Sequence, residues 1–479
     1  MPNYVKIQND STLNTEAYYQ MSFGQKIIYL RRLLGYYLLY DNYEKRKIDI
    51  QIFSYLSTER RLLKKQNNKQ LLSRLGDRFQ SAIDDIQNPF DCYKARILVC
   101  PIDAPNWGFG FVTHQIRICL LYALESRRTM VIKNLKRFYK YKVKWFDLFD
   151  STSNCSYAKH VRPFVPLNEY LDLEQTERIL IFQWRQDMRI RAFDYIPQQL
   201  KKIFKYHANP SHWFHGQLIR YIWKANKKTE KLVKQMISRI PFECGPIVGI
   251  HVRRTDKITE TKLRKLEEYM EWVDSWYEVM DEYNQTDIES SNCTNRRKLF
   301  IASDELKDVV KEAKIRWGNK YEIYHGPFDT KNDSWQALAE LISVSHILSR
   351  CRFLVCTLSS NFCRVSYELM QTIQGDASDN VHSLDYFYSE IWFENEMEAT
   401  VDYKPKQEYP MSPYELWAEK GDVIVVKSPV FQNFYVRGRN PRLNSEGRFP
   451  MYLLKEHFKF EDSSDFINIF APTRETNIN

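Results

Sequence analysis

A chain of 479 residues is too long for one ordinary core and calls for roughly two to four domains. Its 43% hydrophobic and 27% charged residues, with only 14 glycines, exclude a disordered, collagen-like or Gly-rich linker protein. A net charge of +10 leaves nucleic acid, an anionic membrane surface or a phosphate-bearing ligand as partners, beside a plain solvated basic face.

Residues 1–24 lack the apolar core of a signal peptide, and no window reaches the ~18 to 20 apolar residues that cross a bilayer. Residues 25–87 read as helical. Leu72, Leu75, Phe79, Ala82 or Ile83, and Ile86 form a coiled-coil-like stripe, and Ile48, Ile52 and Leu56 form a similar one upstream. Asn88-Pro89 ends the helix. The stripe serves either a hairpin packed on the next domain or, as favoured here, self-association.

From residue 95, short apolar runs alternate with helical stretches: Ile97 to Val99, Met130 to Ile132, Ile247 to Val252, Leu299 to Ile301 and Phe353 to Val355. That alternation predicts parallel, doubly wound α/β sheets with ligands beyond the C-terminal ends of the strands. A basic stretch holds Arg117, Arg127, Arg128, Lys133, Lys136, Arg137, Lys140, Lys142 and Lys144. After about residue 400, the short strands around Gly421 to Val426, Phe434 to Gly438 and Arg448 to Tyr452 predict a small all-β barrel. The tail after 464 is polar.

The nine cysteines fit no zinc spacing, and Asn9, Asn154, Asn284, Asn292 and Asn332 each open an Asn-x-Ser/Thr sequon. Disulfides and a secretory route follow as expectations.

Three stretches carry chemistry. In Gly249 to Lys257 a buried strand ends in a burst of charge. Adjacent arginines there fit a diphosphate, whose oxygens accept parallel bonds from a guanidinium fork, or else form a surface ion-pair cluster. Arg253 and Arg254 fall on opposite faces of an extended chain, so they do different jobs, one of them bracing the loop through Asp256. In Phe353 to Asn361 a strand runs through Ser359-Ser360 into a helix, which suits phosphate oxygens or simple capping by Ser360. Trp107-Gly108-Phe109-Gly110-Phe111 permits close backbone approach to a nucleotide or a plain turn.

The peptides HVRRTDK, FLVCTLSSNFCRVSYELMQTIQGDAS, NPFDCYKAR, VHSLD, LEEYM and NPRLNSEGRFPMY occur in the order found in the core α1,6-fucosyltransferases, which this sequence resembles from about residue 80 to 460. The resemblance implies a GT-B-like α/β enzyme of two Rossmann-like halves, with coiled-coil-like dimerisation helices before it and an SH3-like barrel after it. On that basis residues 1–88 are the helical segment and 89–398 the catalytic domain, with its GDP-fucose half from about 240 to 398. Residues 399–462 are the SH3-like domain and 463–479 the polar tail. The implied reaction moves fucose from GDP-fucose to O6 of the innermost GlcNAc of an N-glycan, with inversion, in the Golgi, in a homodimer anchored by a segment this sequence does not show. It needs neither metal nor cofactor nor nucleic acid.

Carried over by motif, Glu260 is the general base with Lys257 beside it, Arg253 binds the β-phosphate and His251 holds guanosine. Asp256 orients the loop next to Arg254. Tyr139, Asp304 and Ser360 line the donor site, and Asp187 touches the acceptor. The resemblance also pairs Cys92 with Cys155, Cys100 with Cys119 and Cys356 with Cys363, leaving Cys244, Cys293 and Cys351 unassigned.

The sequence departs from the family in several places. Val344 stands where the family's guanine-reading aspartate aligns. Ala104-Pro105 stands near the lysine expected before the glycine turn. Val430 aligns near the glycan-facing barrel histidine, and the segment from Lys257 to Leu266 is shortened. A glycan- or nucleotide-binding relative without turnover is therefore the alternative to an active transferase.

Overall fold

The computed structural model describes residues 50, 54–58, 67–102, 108–134, 143–161, 178–182, 195–197, 200–204, 207, 209–255, 263–283, 293–327, 334–385, 395–404, 415–432, 435–450, 453–457 and 459–461. The helical reading of 25–49, the polar tail, and Tyr139, Asp187, Asp256, Lys257 and Glu260 lie outside the described residues. No described helix is long and apolar enough to cross a membrane. The chain divides into two compact units, one of residues 65–388 with 458–479, the other of 1–64 with 389–457.

The larger unit holds the apolar runs as parallel strands. β1 (Ile97–Ile102), β2 (Thr129–Asn134) and β3 (Ile179–Ile181) form a parallel sheet in the order β2-β1-β3. β4 (Tyr195–Pro197) stands apart from it. The second sheet runs β7-β6-β5-β8-β9, from β5 (Ile247–Val252), β6 (Arg297–Ser303), β7 (Tyr321–His325), β8 (Phe353–Cys356) and β9 (Val381–Ser383). Every residue of β5 is buried, as expected of a central strand covered on both faces.

The helices follow the same logic. α1 (Asn67–Gln87) precedes the first sheet, and α2 (Phe109–Glu125) crosses from β1 to β2. Between the sheets come α3 (Pro210–Ile222) and α4 (Lys227–Ile237), the latter capped by Asn226, which accepts from the Thr229 N–H at 3.0 Å. In the second sheet α5 (Leu266–Glu282), α6 (Leu306–Trp317), α7 (Trp335–Leu348) and α8 (Asn361–Gln374) each follow a strand. β6 and β7 lie on one side of β5, β8 and β9 on the other. The winding therefore reverses between β5 and β8, and a crevice opens beyond their C-terminal ends.

The α1 stripe is buried within the chain. Leu72, Leu75, Phe79 and Ile83 are buried, Phe79 meets Phe214 of α3 edge-on at 5.8 Å, and Gln80 Nε2 donates to the Gln217 carbonyl at 2.8 Å. These residues pack as a hairpin does, on the next domain. At the end of α1, the Gln87 side chain substitutes for a strand at the open edge of β2. Its Oε1 accepts from the Met130 N–H at 2.7 Å and its Nε2 donates to the Arg128 carbonyl at 3.3 Å.

The basic stretch is not uniformly a surface feature. Arg117 and Arg128 are buried, and Arg128 Nη1 donates to the Arg178 carbonyl at 3.1 Å. The Arg128 guanidinium, buried and bonded to backbone carbonyls, serves the fold and is unavailable to an external anion.

Four disulfides are present among the described residues: Cys92–Cys155, Cys100–Cys119, Cys244–Cys293 and Cys356–Cys363. Cys351 is a buried thiol, its pKa raised out of the thiol range by burial.

In the smaller unit, β10 (Asn395–Ala399), β11 (Val423–Gln432), β12 (Tyr435–Asn440), β13 (Ser445–Pro450) and β14 (Leu454–Glu456) form an antiparallel sheet in the order β13-β12-β11-β10-β14. The turn into β11 uses Gly421 at φ +91°, a conformation that side chains disfavour. The next residue, Asp422, is bonded by Arg442 and by Asn440, and those Arg442 bonds hold its carboxyl down at about 2. β15 (Lys459–Glu461) returns to the larger unit and pairs with β4.

Candidate functional site

The site forms where β5 stops. Val252 is paired with Ser303 at the end of β6, so the residues that follow each strand, Arg253 and Asp304, emerge side by side. Asp304 gathers the turn. Its carboxylate accepts from Arg253 Nη1 at 2.9 Å, from the Arg254 and Thr255 N–H groups at 3.0 Å each, and from Thr255 Oγ1 at 2.5 Å. Burial alone would push the Asp304 pKa up. The Thr255 hydrogen bond, the Arg253 charge, the Arg254 N–H and nearby His251 outweigh it and hold the carboxyl below its usual range. The Asp304 side chain is only 3% exposed, whereas Arg253 is 27% exposed. Arg253 is thus fixed from below and open above.

Arg254 turns the other way, with Nη1 3.8 Å from Glu305 and Nη2 3.7 Å from Glu312. The two arginines meet different carboxylates. Among the described residues the brace for the pair is acidic groups after β6, chiefly Asp304; Asp256 lies outside them.

Across the switch point, β8 ends in Thr357-Leu358-Ser359-Ser360 and α8 begins. The Ser360 side chain makes no capping bond to α8, so the helix's first N–H groups lack that intrachain partner. The loop itself is braced. The Leu358 N–H donates to Ser383 Oγ at 3.1 Å, Ser383 Oγ donates to Asp385 Oδ1 at 3.0 Å, and Arg364 Nε donates to the Leu358 carbonyl at 2.5 Å. The Cys356–Cys363 disulfide ties the strand end to the first turn of α8. Ser383 and Asp385 belong to the VHSLD peptide, to which no role had been given; the only signal was a hydroxyl and a carboxylate just after a short strand.

Between these groups lies a narrow cavity of ≈ 10 Å³, room for about one water molecule, lined by His251, Ser303, Gly326, Val344 and Phe362, with Ile301, Ala302 and Leu306. His251 is buried, its ring 5.0 Å from that of Phe362. A Cβ on Gly326 would lie 2.9 Å from a Val344 methyl, so these two residues fit only because one of them is glycine. Ser343 and Ser345, which flank Val344, are committed elsewhere. Ser343 Oγ donates to the Ala339 carbonyl at 2.7 Å, and Ser345 Oγ shares a 2.9 Å bond with Ser366 Oγ.

The glycine motif also finds its reason here. Gly110 sits in the first turn of α2, where a Cβ would lie 2.9 Å from the Asn361 carbonyl carbon. It lets α2 approach the start of α8. Of the residues singled out from sequence, His251, Arg253, Arg254, Asp304 and Ser360 stand at the ends of β5, β6 and β8.

A parallel sheet that reverses direction beside a fixed arginine and a helix start has the doubly wound α/β architecture, which receives ligands at that reversal. Residues 36–389 match the family described as alpha-(1,6)-fucosyltransferase N- and catalytic domains. The chain is similar to the alpha-(1,6)-fucosyltransferase of Caenorhabditis elegans, at 30% identity over 89% of this chain and 77% of that one. It is similar to that of Drosophila melanogaster, at 30% identity over 80% of this chain and 60% of that one. It is similar in structure to fucosyltransferase NodZ from Bradyrhizobium, with a TM-score of 0.34 and 13% identity over 57% of this chain and 92% of that one. The chain belongs to the alpha-(1,6)-fucosyltransferase family and is by class a glycosyltransferase.

Proposed function

We propose that this protein transfers fucose from GDP-fucose to O6 of the innermost GlcNAc of N-glycans, with inversion at the anomeric carbon and without a metal. The observation that carries the donor assignment is the fixed Arg253, held by Asp304 at the switch point with its guanidinium partly open. As the C1–O bond to the diphosphate breaks, the electron pair leaves with GDP and charge builds on the phosphate oxygens. Arg253 and the N–H groups at the start of α8 neutralise that charge without reorganising. Arginine can take the place of a metal in that role.

Glu260 takes the proton from the acceptor hydroxyl as its oxygen attacks C1 from the face opposite GDP, with Lys257 beside it and Asp256 orienting the loop. His251 lies against the nucleoside, Tyr139 and Ser360 line the donor site, and Asp187 meets the acceptor. A GT-B-like catalytic domain and an SH3-like C-terminal sheet fit the parallel and antiparallel sheets. The disulfides fit an oxidising Golgi lumen. The homodimer rests on the apolar spacing of Ile48, Ile52 and Leu56 in the sequence.

The test is GDP release with GDP-fucose and a GlcNAc-terminated N-glycan, with the linkage mapped in the product. No GDP release from folded protein, or fucose attached at a position other than O6, overturns the proposal. For the compartment, non-reducing peptide mapping of protein from its native cell should find Cys356 joined to Cys363; free thiols throughout would refute the lumen.

A further inference from the structure

His114, on α2, reaches across to α8 with both ring nitrogens. Nδ1 lies 3.0 Å from Asn361 Oδ1 and Nε2 lies 2.9 Å from Glu368 Oε2. The Glu368 side chain is fully buried and that of His114 is 12% exposed. A buried carboxylate without partners is costly, so this bond holds both groups in place. The two contacts differ in position. Asn361 is the first residue of α8, directly after Ser360, whereas Glu368 lies two turns further along. Gly110, one turn before His114, removes the side chain that would hold the helices apart. Phe362, next to Asn361, carries the contact on to the His251 ring.

We propose that His114 is a positioning residue for the donor site: it pins the first turn of α8 to α2, so that Ser359, Ser360 and the helix's opening N–H groups stand where the diphosphate is received. This rests on the donor-site reading above. It concerns a residue of the other sheet's crossover helix, to which neither the motifs nor the family resemblance gave a role. A neutral imidazole donates from one nitrogen and accepts at the other, and the Asn361 amide can present either group to it.

The experiment compares His114→Phe, which keeps a ring and loses both bonds, with His114→Asn, which keeps a polar group near the Nδ1 position that faces Asn361. Melting temperature, GDP affinity by calorimetry, and KM for GDP-fucose and for the glycan acceptor are measured on each. His114→Phe should raise the donor KM and the GDP Kd about tenfold, the effect of losing the one hydrogen bond to Asn361 that places the first turn of α8. The acceptor KM should stay within about twofold, and His114→Asn should recover most of the donor affinity while its bond to Glu368 is still missing. A lower melting temperature with unchanged GDP affinity overturns the proposal, as does equal impairment in both variants. Arg253→Ala separates the two readings. If it loses GDP while His114→Phe does not, only the role of His114 falls. If the unaltered, folded chain binds no GDP, the donor site and the role of His114 fall together.

Discussion

The two ends of the candidate donor site are built on different principles. At the Arg253 end each group is polar and each is held by another: Asp304 accepts from a guanidinium, two backbone N–H groups and a hydroxyl. At the Val344 end the lining is chiefly apolar, and the nearest hydroxyls on α7 are bonded elsewhere. A preorganised anion site recognises a diphosphate whatever base is attached. An apolar pocket can hold a base by its faces but cannot distinguish the bases by their edges. The contrast predicts a protein strict about phosphate and lax about nucleobase.

The largest effect belongs to the chemistry beside the arginine end. Glu260→Gln should lower kcat by about 10²–10⁴-fold, the usual contribution of a general base, and leave GDP affinity nearly intact. Single-turnover kinetics with GDP calorimetry separate the two; if Glu267 or Glu268 is the sensitive position, the assignment across the shortened loop is wrong. Glu268 already bonds Arg264 at 3.0 Å, and Glu267 pairs with Arg316, so both are engaged in structural contacts.

Arg253→Ala should cost about 10²–10³-fold in kcat/KM, as the loss of one preorganised donor does, and Arg253→Lys should recover little because an ammonium lacks the fork. Near-normal kcat/KM in folded Arg253→Ala would remove the phosphate site altogether.

Asp304→Asn tests whether the arginine is held or merely present. It keeps the shape and loses the charge, so about a tenfold loss in donor affinity is expected. The pH sign is fixed by the depressed pKa of Asp304. A carboxyl lowered on folding adds stability that is present above its unfolded pKa and is lost as the pH falls through the lower folded value. The melting-temperature gap between the natural protein and Asp304→Asn should therefore be constant above about pH 5 and narrow in stronger acid. A gap that widens in acid contradicts the ionised brace.

These two ends were also unequally legible in the sequence. Continuous apolar runs such as Ile247 to Val252 gave away the buried parallel strands, and the charge burst after them marked the strand end. β9, with only three residues, left no periodicity to read. The brace on Arg253 comes from Asp304, 51 residues away, and the His114–Asn361 contact spans 247 residues. Such partners are set by tertiary packing, which local spacing does not encode. The α1 stripe shows the reverse difficulty: its heptad-like spacing was plain, but the same spacing serves a seam with α3 as well as one with a second chain.

Val344 sharpens the comparison most directly. In the family pattern a carboxylate here meets two guanine donors, and valine offers them no acceptor. The engagement of Ser343 and Ser345 removes the nearest substitutes on α7. The natural protein should therefore bind GDP with little preference over ADP or UDP. Val344→Asp should tighten GDP alone by about tenfold, the effect of a charge-assisted pair. The same substitution places a carboxylate where valine is 2% exposed. Without ligand that buried charge is uncompensated, so the melting temperature should fall, and GDP should restore it by more than ADP or UDP does. Calorimetry and melting curves with the three nucleotides on both proteins give the answer. Tight, selective GDP binding by the natural protein would mean that guanine is read by other residues and that the apolar end is not lax. Absence of nucleotide binding in both proteins would leave a glycan-binding relative without turnover as the better account.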